Sequence, residues 1–182
     1  MKKLFFASLA CLMALTAQAQ VMTSATIDKV YKDAALSNVG EFAYNVERQK
    51  DGAISAMYVY RQKSSRLIPA YRYEYAYDEQ GNLTSRVSYC WLEALRDWAC
   101  TGRLDYSLQS DSYTVEYSRW NARTTRFDRA CDRMTYSLLT EDSINHVCCY
   151  HRDRGTAPFE LVSESRVTVL PFCQDGLLTQ QK

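Results

Sequence analysis

Residues able to do nucleophilic chemistry gather late in the chain. His146 and His151 are its two histidines, and Cys148 and Cys149 lie between them. A base beside a thiol is what nucleophilic catalysis needs. On a strand, however, His146 and Cys148 stand two apart on one face, side by side rather than converging. His151 follows next to Arg152 and Arg154, as at a solvated strand end. Zinc would need more sulfur or imidazole at closer spacing, and no C-x2-C is present. No catalytic residue, metal site or cofactor is expected.

Carboxylates offer a second chemistry. Glycoside hydrolysis uses two acids facing each other across a cleft. Glu74, Asp78, Asp105 and Glu116 are candidates, but Arg72, Arg86, Arg103 and Arg119 alternate with them. Such an arrangement reads as a cross-strand ladder of ion pairs. No phosphate-binding loop, H-E-x-x-H or G-x-S-x-G occurs. Aromatic side chains give the better hint. Trp91, Trp98, Trp120 and Phe127 recur at the ends of predicted hairpins, where rings can stack on a sugar or cap a core.

The elements that must carry these residues are strands. From Phe42 onward the pattern has period two. Tyr71, Tyr73, Tyr75 and Tyr77 alternate with Arg72, Glu74, Ala76 and Asp78. Past the turn Asp78-Glu79-Gln80-Gly81, Leu83, Ser85, Val87, Tyr89 and Trp91 are placed on one face, with Thr84, Arg86, Ser88 and Cys90 on the other. Trp98, Cys100, Leu104, Tyr106 and Leu108 are likewise assigned one face. Trp91 and Trp98 are seven residues apart, as are Trp120 and Phe127; Tyr150 and Phe159 are nine apart. Units of about 30 residues, each with two strands, follow from this repeat. Broken alternation near Cys131 and Arg133 predicts a β-bulge.

The fold class expected is all-β: an antiparallel meander of about nine strands in repeated hairpins, twisted or curling toward a barrel. Residues 20–38 form an N-terminal arm or short helix, on the spacing of Ile27, Val30, Tyr31 and Ala34. The β-domain spans 39–171, and 172–182 form a C-terminal tail.

Residues 1–19 have the order of a cleavable signal peptide. Lys2 and Lys3 precede an apolar run from Leu4 to Thr16, and Ala17-Gln18-Ala19 supplies a small-x-small cleavage pattern. The expectation is export to the periplasm or medium. A lipoprotein anchor at Cys11 is disfavoured, because the preceding Ser8-Leu9-Ala10 is out of register for it. No other apolar stretch could cross a membrane as a helix. Removal of the first 19 of 182 residues leaves 163 and takes the formal charge from +1 to −1. That near-neutral balance argues against nucleic acid as a partner. Cys90, Cys100, Cys131, Cys148, Cys149 and Cys173 remain as disulfide candidates. Six cysteines allow 15 connectivities, and the adjacent pair Cys148–Cys149 should point to opposite faces.

The stretch from Tyr75 to Arg86, Y-A-Y-D-E-Q-G-N-L-T-S-R, resembles the Y-x-Y-D-x-x-G-N-x-T pattern of YD-type hairpin repeats. With its continuation to Trp91 and Trp98, the chain resembles DUF3836, a Bacteroidetes family of exported proteins of unknown function. The resemblance implies compartment and β architecture, and no activity. The corresponding stretches at Tyr113-Thr114-Val115 and Ile144-Asn145-His146 lack the glycine. Asp142-Ser143-Ile144 is similar to a short O-glycosylation signal of such exported proteins.

The functional expectation is an exported, non-enzymatic β-repeat protein that binds a ligand or surface, with Trp91, Trp98, Trp120 and Phe127 as contact residues. Its partner would be a glycan or another exported protein. The alternative is a secreted, glycan-directed hydrolase using polar-face carboxylates.

Overall fold

Strands with period-two patterning must pair laterally to satisfy their backbone groups. In the computed structural model they do so in one sheet of ten strands. The structure describes residues 21–36, 41–63, 66–137, 144–153 and 155–168. The predicted signal peptide, Cys11, Asp142-Ser143, Cys173 and the predicted tail lie outside the described residues.

The helix α1 (Ser24–Leu36) comes first. The strands follow: β1 (Phe42–Arg48), β2 (Ile54–Lys63), β3 (Arg66–Tyr77), β4 (Leu83–Leu92), β5 (Asp97–Leu108), β6 (Ser112–Asn121), β7 (Arg126–Phe127), β8 (Asp132–Ser137), β9 (Ile144–His151) and β10 (Glu160–Thr168). Order in the sheet is β1-β2-β3-β4-β5-β6-β8-β9-β10, all antiparallel, with β7 paired to β6. The meander is as the sequence predicts, but it stays open. Closure into a barrel would hide an apolar face, and here residues 21–36 cover part of that face instead.

Thr23 caps α1. Its Oγ1 accepts from the Thr26 amide at 3.2 Å, and its carbonyl accepts from the Ile27 amide at 3.0 Å. The arm and the first residue of α1 dock on the β3–β4 turn: Ser24 N donates to Gly81 O at 2.9 Å and Leu83 N to Met22 O at 2.8 Å. That turn is locally built. The Asp78 Oδ1 accepts from the amides of Gln80 and Asn82, and Gly81 takes φ 80°, the left-handed region that glycine tolerates. Ile27 then buries against Ile54 and Leu83, joined by Met22, Val46, Tyr75, Tyr77 and Tyr106. A second cluster of Leu104, Tyr113 and Val115 packs under Val21 and Met22. Arm and helix together form the lid of the core.

Among the sheet's several register irregularities, three bear on the predicted faces and breaks. Tyr77 pairs with Leu83 but Ala76 pairs with Ser85, so Thr84 is an extra residue. Leu83 therefore faces the core while Ser85, Val87, Tyr89 and Trp91 face away, and Arg86 joins the core side opposite Tyr75 and Leu104. This corrects the expected grouping of Leu83 with Trp91, and removes Arg86 from the ladder of ion pairs. Likewise Tyr89 pairs with Cys100 and Ser88 with Gly102, which makes Thr101 the extra residue. Trp98 and Cys100 consequently face the side opposite Leu104 and Tyr106, not the same side as expected. The third irregularity separates β7 from β8. Asp128 N bonds Arg119 O at 2.9 Å and Cys131 N bonds Tyr117 O at 2.8 Å, so Arg129 and Ala130 bulge opposite Ser118. This is the break in alternation predicted near Cys131.

Candidate functional site

The sheet side away from α1, here called the far face, has no described element across it. Arginines and aromatic rings alternate over it at a regular interval. On β3, Arg72 lies between the rings of Tyr58 and Tyr89, 5.6 and 5.1 Å from their centroids. On β5, Arg103 stacks over Phe127 at 4.7 Å. On β8, Arg133 stacks over Phe159 at 4.1 Å, and Arg152 reaches the same ring at 4.2 Å. Each guanidinium on a ring contributes about 0.5–2 kcal/mol, depending on how dry it is.

Every one of these arginines on a strand also holds a carboxylate. Arg72 pairs with Glu74, whose Oε2 accepts from Tyr89 Oη at 2.8 Å. Arg103 Nε donates to Asp105 Oδ2 at 2.9 Å, and Arg133 Nε to Glu116 Oε1 at 2.7 Å. Three of the four predicted acids are thus ion-paired, but not as a cross-strand ladder: Arg72–Glu74 and Arg103–Asp105 lie along single strands, and the one pair between strands joins Glu116 to Arg133 rather than to Arg119. Asp78 is the fourth; its carboxylate bonds the Asn82 side chain and the turn amides, which hold its pKa below the usual range.

The predicted aromatic residues sit at one end of this face. Trp91 and Trp98 meet edge to face across the β4–β5 turn, with centroids 5.1 Å apart and planes at 68°. Trp120 and Phe127 repeat the arrangement at 5.0 Å and 69°. The backbone explains the likeness. Each pair brackets a tight loop whose last residue is left-handed, Arg96 at φ 52° and Thr125 at φ 51°. Trp98 also meets Tyr58 at 6.2 Å. All four predicted residues are half-buried: one side of each ring packs and part remains open to solvent. They are neither an exposed row nor a closed core.

Sequence reasoning missed Tyr58, Tyr89 and Phe159 as members of the face. The signal was present in the arginines. Arg72, Arg103 and Arg133 recur 31 and 30 residues apart, the interval of the hairpin repeat.

Between the second and third units lies a concavity of about 340 Å³ lined by Asp105, Glu116, Arg133, Thr114 and Thr135 among others. Asp105 and Glu116 are direct cross-strand partners there. Each is bound to its own arginine, so neither is a free acid facing a free base.

The histidine and cysteine neighbourhood is as side-by-side as the spacing implies. Cys148 Sγ lies 3.9 Å from His146 Nε2, and the same Nε2 lies 2.6 Å from Glu164 Oε1. One nitrogen cannot donate to the carboxylate and accept the thiol proton at once. A nucleophile–base–acid relay would use the two ring nitrogens separately. His151 Nδ1 instead binds Asp132 Oδ1 at 2.6 Å, which raises its pKa.

Five disulfide candidates, Cys90, Cys100, Cys131, Cys148 and Cys149, stand as free thiols. Cys90 pairs with Ala99 and Cys100 with Tyr89, which puts their sulfurs on opposite faces. Cys148 opposes Thr135 and Cys149 opposes Met134, so these too diverge. Burial and the Asp132 carboxylate push the Cys131 thiol up to about 11, the opposite of an activated nucleophile. Among the described residues no group of three potential ligands could hold a metal ion. No described helix is long and apolar enough to cross a membrane.

A model of a family of unknown function, DUF3836, matches residues 3–138. No curated protein matches the chain. Among solved structures, a protein of unknown function from Bacteroides fragilis NCTC 9343 is 22% identical, with a TM-score of 0.61 over 71% of this chain and 94% of that one. That likeness is one of fold. A DUF3836 family protein from Bacteroides vulgatus ATCC 8482 is 20% identical over 48% of this chain and 89% of that one, at a TM-score of 0.46. Another from Parabacteroides distasonis ATCC 8503 is 23% identical over 47% and 80%, at 0.43.

Proposed function

The chain belongs to the DUF3836 family of unknown function, and from that premise we propose that it is an exported, non-enzymatic binding module whose far face recognises a glycan. The observation that carries this reading is the repeated aromatic and arginine surface. Ring faces at Trp98 and Trp120 suit the C–H faces of sugars, Phe127 backs Trp120 and carries Arg103, and the interleaved guanidinium and carboxylate groups suit sugar hydroxyls. Three similar units along one face suit a ligand that itself repeats. Export rests on the lysines, apolar run and Ala17-Gln18-Ala19 at the chain start. The hairpin around Asp78 is read as a YD-type unit, on its Asp-x-x-Gly-Asn turn.

A glycan array probed with the wild-type chain and with Trp98→Ala and Trp120→Ala variants tests the reading. Binding to one glycan class, lost in either variant, is the expected result. Binding unchanged by both variants would remove the far face from consideration.

The paired acids favour one other reading, a glycan-directed hydrolase using Asp105 and Glu116. Release of reducing sugar by the wild type but not by Glu116→Gln would replace the binding reading with this one.

A further inference from the structure

The core side of the sheet holds a second feature that the glycan reading does not use. A groove of about 300 Å³ opens between α1 and strands β1 to β3, walled by Val30, Phe42, Met57, Val59, Tyr73 and Tyr75 among others. That volume is at the lower end for small-molecule pockets. Its walls are almost wholly apolar or aromatic. Phe42 and Tyr71 are exposed at its mouth.

One cation lines this groove. Arg86 reaches it because the extra residue at Thr84 turns its side chain to the core side. Its guanidinium lies 5.2 Å from the Tyr73 centroid. It acts electrostatically on the Tyr73, Tyr75 and Tyr106 hydroxyls, all of them otherwise pushed up by burial. Its Nε is shielded from solvent and has no hydrogen-bond partner. None of the ion pairs among the described residues includes it. Arg72 Nε is shielded and unbonded in the same way, but Arg72, like Arg103 and Arg133, holds a carboxylate, and Arg86 does not. Arg86 as a whole is half-buried, and a cation whose Nε is cut off from water gains from a counter-charge in the groove.

We propose that this groove is a binding site for a small carboxylate with an apolar body, its headgroup paired with Arg86 and its body against Val30, Met57 and Val59. A guanidinium fork matches a planar carboxylate in two parallel hydrogen bonds, which selects that headgroup over a neutral one. The apolar walls select the rest. The limited volume excludes a long lipid chain.

Calorimetric titration with three probes of one length tests this: octanoate, 1-octanol and octyltrimethylammonium. Octanoate should bind saturably, at least about tenfold more tightly than octanol, the step expected of one charge-assisted contact. The ammonium probe should not bind. Arg86→Met keeps the length and apolar stem; it should abolish the preference for octanoate while octanol binds at least as well as before. Arg86→Lys keeps the charge but not the fork and should fall between the two. Octanol binding to Arg86→Met reports that the groove is intact. Equal affinity for octanoate and octanol in the wild type, or no binding of octanoate at millimolar concentration, would overturn the proposal. Neither result bears on glycan recognition by the opposite face.

Discussion

Trp91 and Trp98 meet edge to face at 5.1 Å across the β4–β5 turn, on the side of the sheet that also carries Arg72 and Glu74. Their contact fastens one end of the far face. The double-mutant cycle Trp91→Ala, Trp98→Ala should give a coupling of about 0.5–1.5 kcal/mol in urea unfolding. Additive single effects would show that the rings pack independently.

The lid hypothesis for α1 predicts a larger effect at Ile27. It is 4% exposed and packs on Ile54 and Leu83. Ile27→Ala should destabilise by about 2–4 kcal/mol. Val30, one turn on, is half-buried at the groove, and Val30→Ala should cost less. Equal, small losses at both would mean that the helix contributes little to the core.

Gly102 should not accept a side chain. A Cβ there would stand 2.5 Å from the Tyr117 ring. Gly102→Ala should destabilise by about 1–3 kcal/mol through overpacking. In a Tyr117→Ala background most of that loss should vanish. The same loss in both backgrounds would place its origin in the bulge rather than in the ring.

His151 gives the fold a pH dependence. Its bond to Asp132, aided by Asp153, raises its pKa above the usual histidine value. The folded state therefore holds the proton more tightly than the unfolded chain. The stabilisation is complete below the unfolded histidine range and is lost as pH rises through the raised value. Urea midpoints of the wild type should fall across that window relative to Asp132→Asn, in which the dependence should flatten. Parallel profiles would contradict the assignment. Asp78 acts in the opposite sense: its lowered pKa contributes above the carboxylate range and is lost on acidification.

Much of this fold is legible in the residues. The period-two runs from Phe42 onward give strands and their sequential pairing, and the 30-residue interval of Trp91, Trp120 and Tyr150 gives the repeat. The spacing of Ile27, Val30 and Tyr31 gives α1. Facing was harder. A single extra residue exchanges the two faces for everything beyond it, and the extra residues Thr84 and Thr101 carry no mark in a straight alternation count. Gly102 was the available signal, because a glycine inside a strand often accompanies a bulge. Without the bulge at Thr101, Trp98 would be assigned to the core with Leu104. With it, Trp98 joins Tyr58, Arg72 and Tyr89 on the far face. The arginine–ring stacks were visible only as a spacing, since stacking depends on which cross-strand neighbour each side chain meets.

The chain has three tryptophans, Trp91, Trp98 and Trp120, and all lie on the far face. Their emission is therefore a direct report on that face. Titration of the protein with soluble polysaccharides, followed by tryptophan fluorescence, tests the central proposal most directly. A saturable change in emission with one glycan class, abolished by Arg103→Ala and Trp120→Ala while the unfolding transition stays cooperative, is the predicted result. Emission that stays flat with every polysaccharide tested would contradict it.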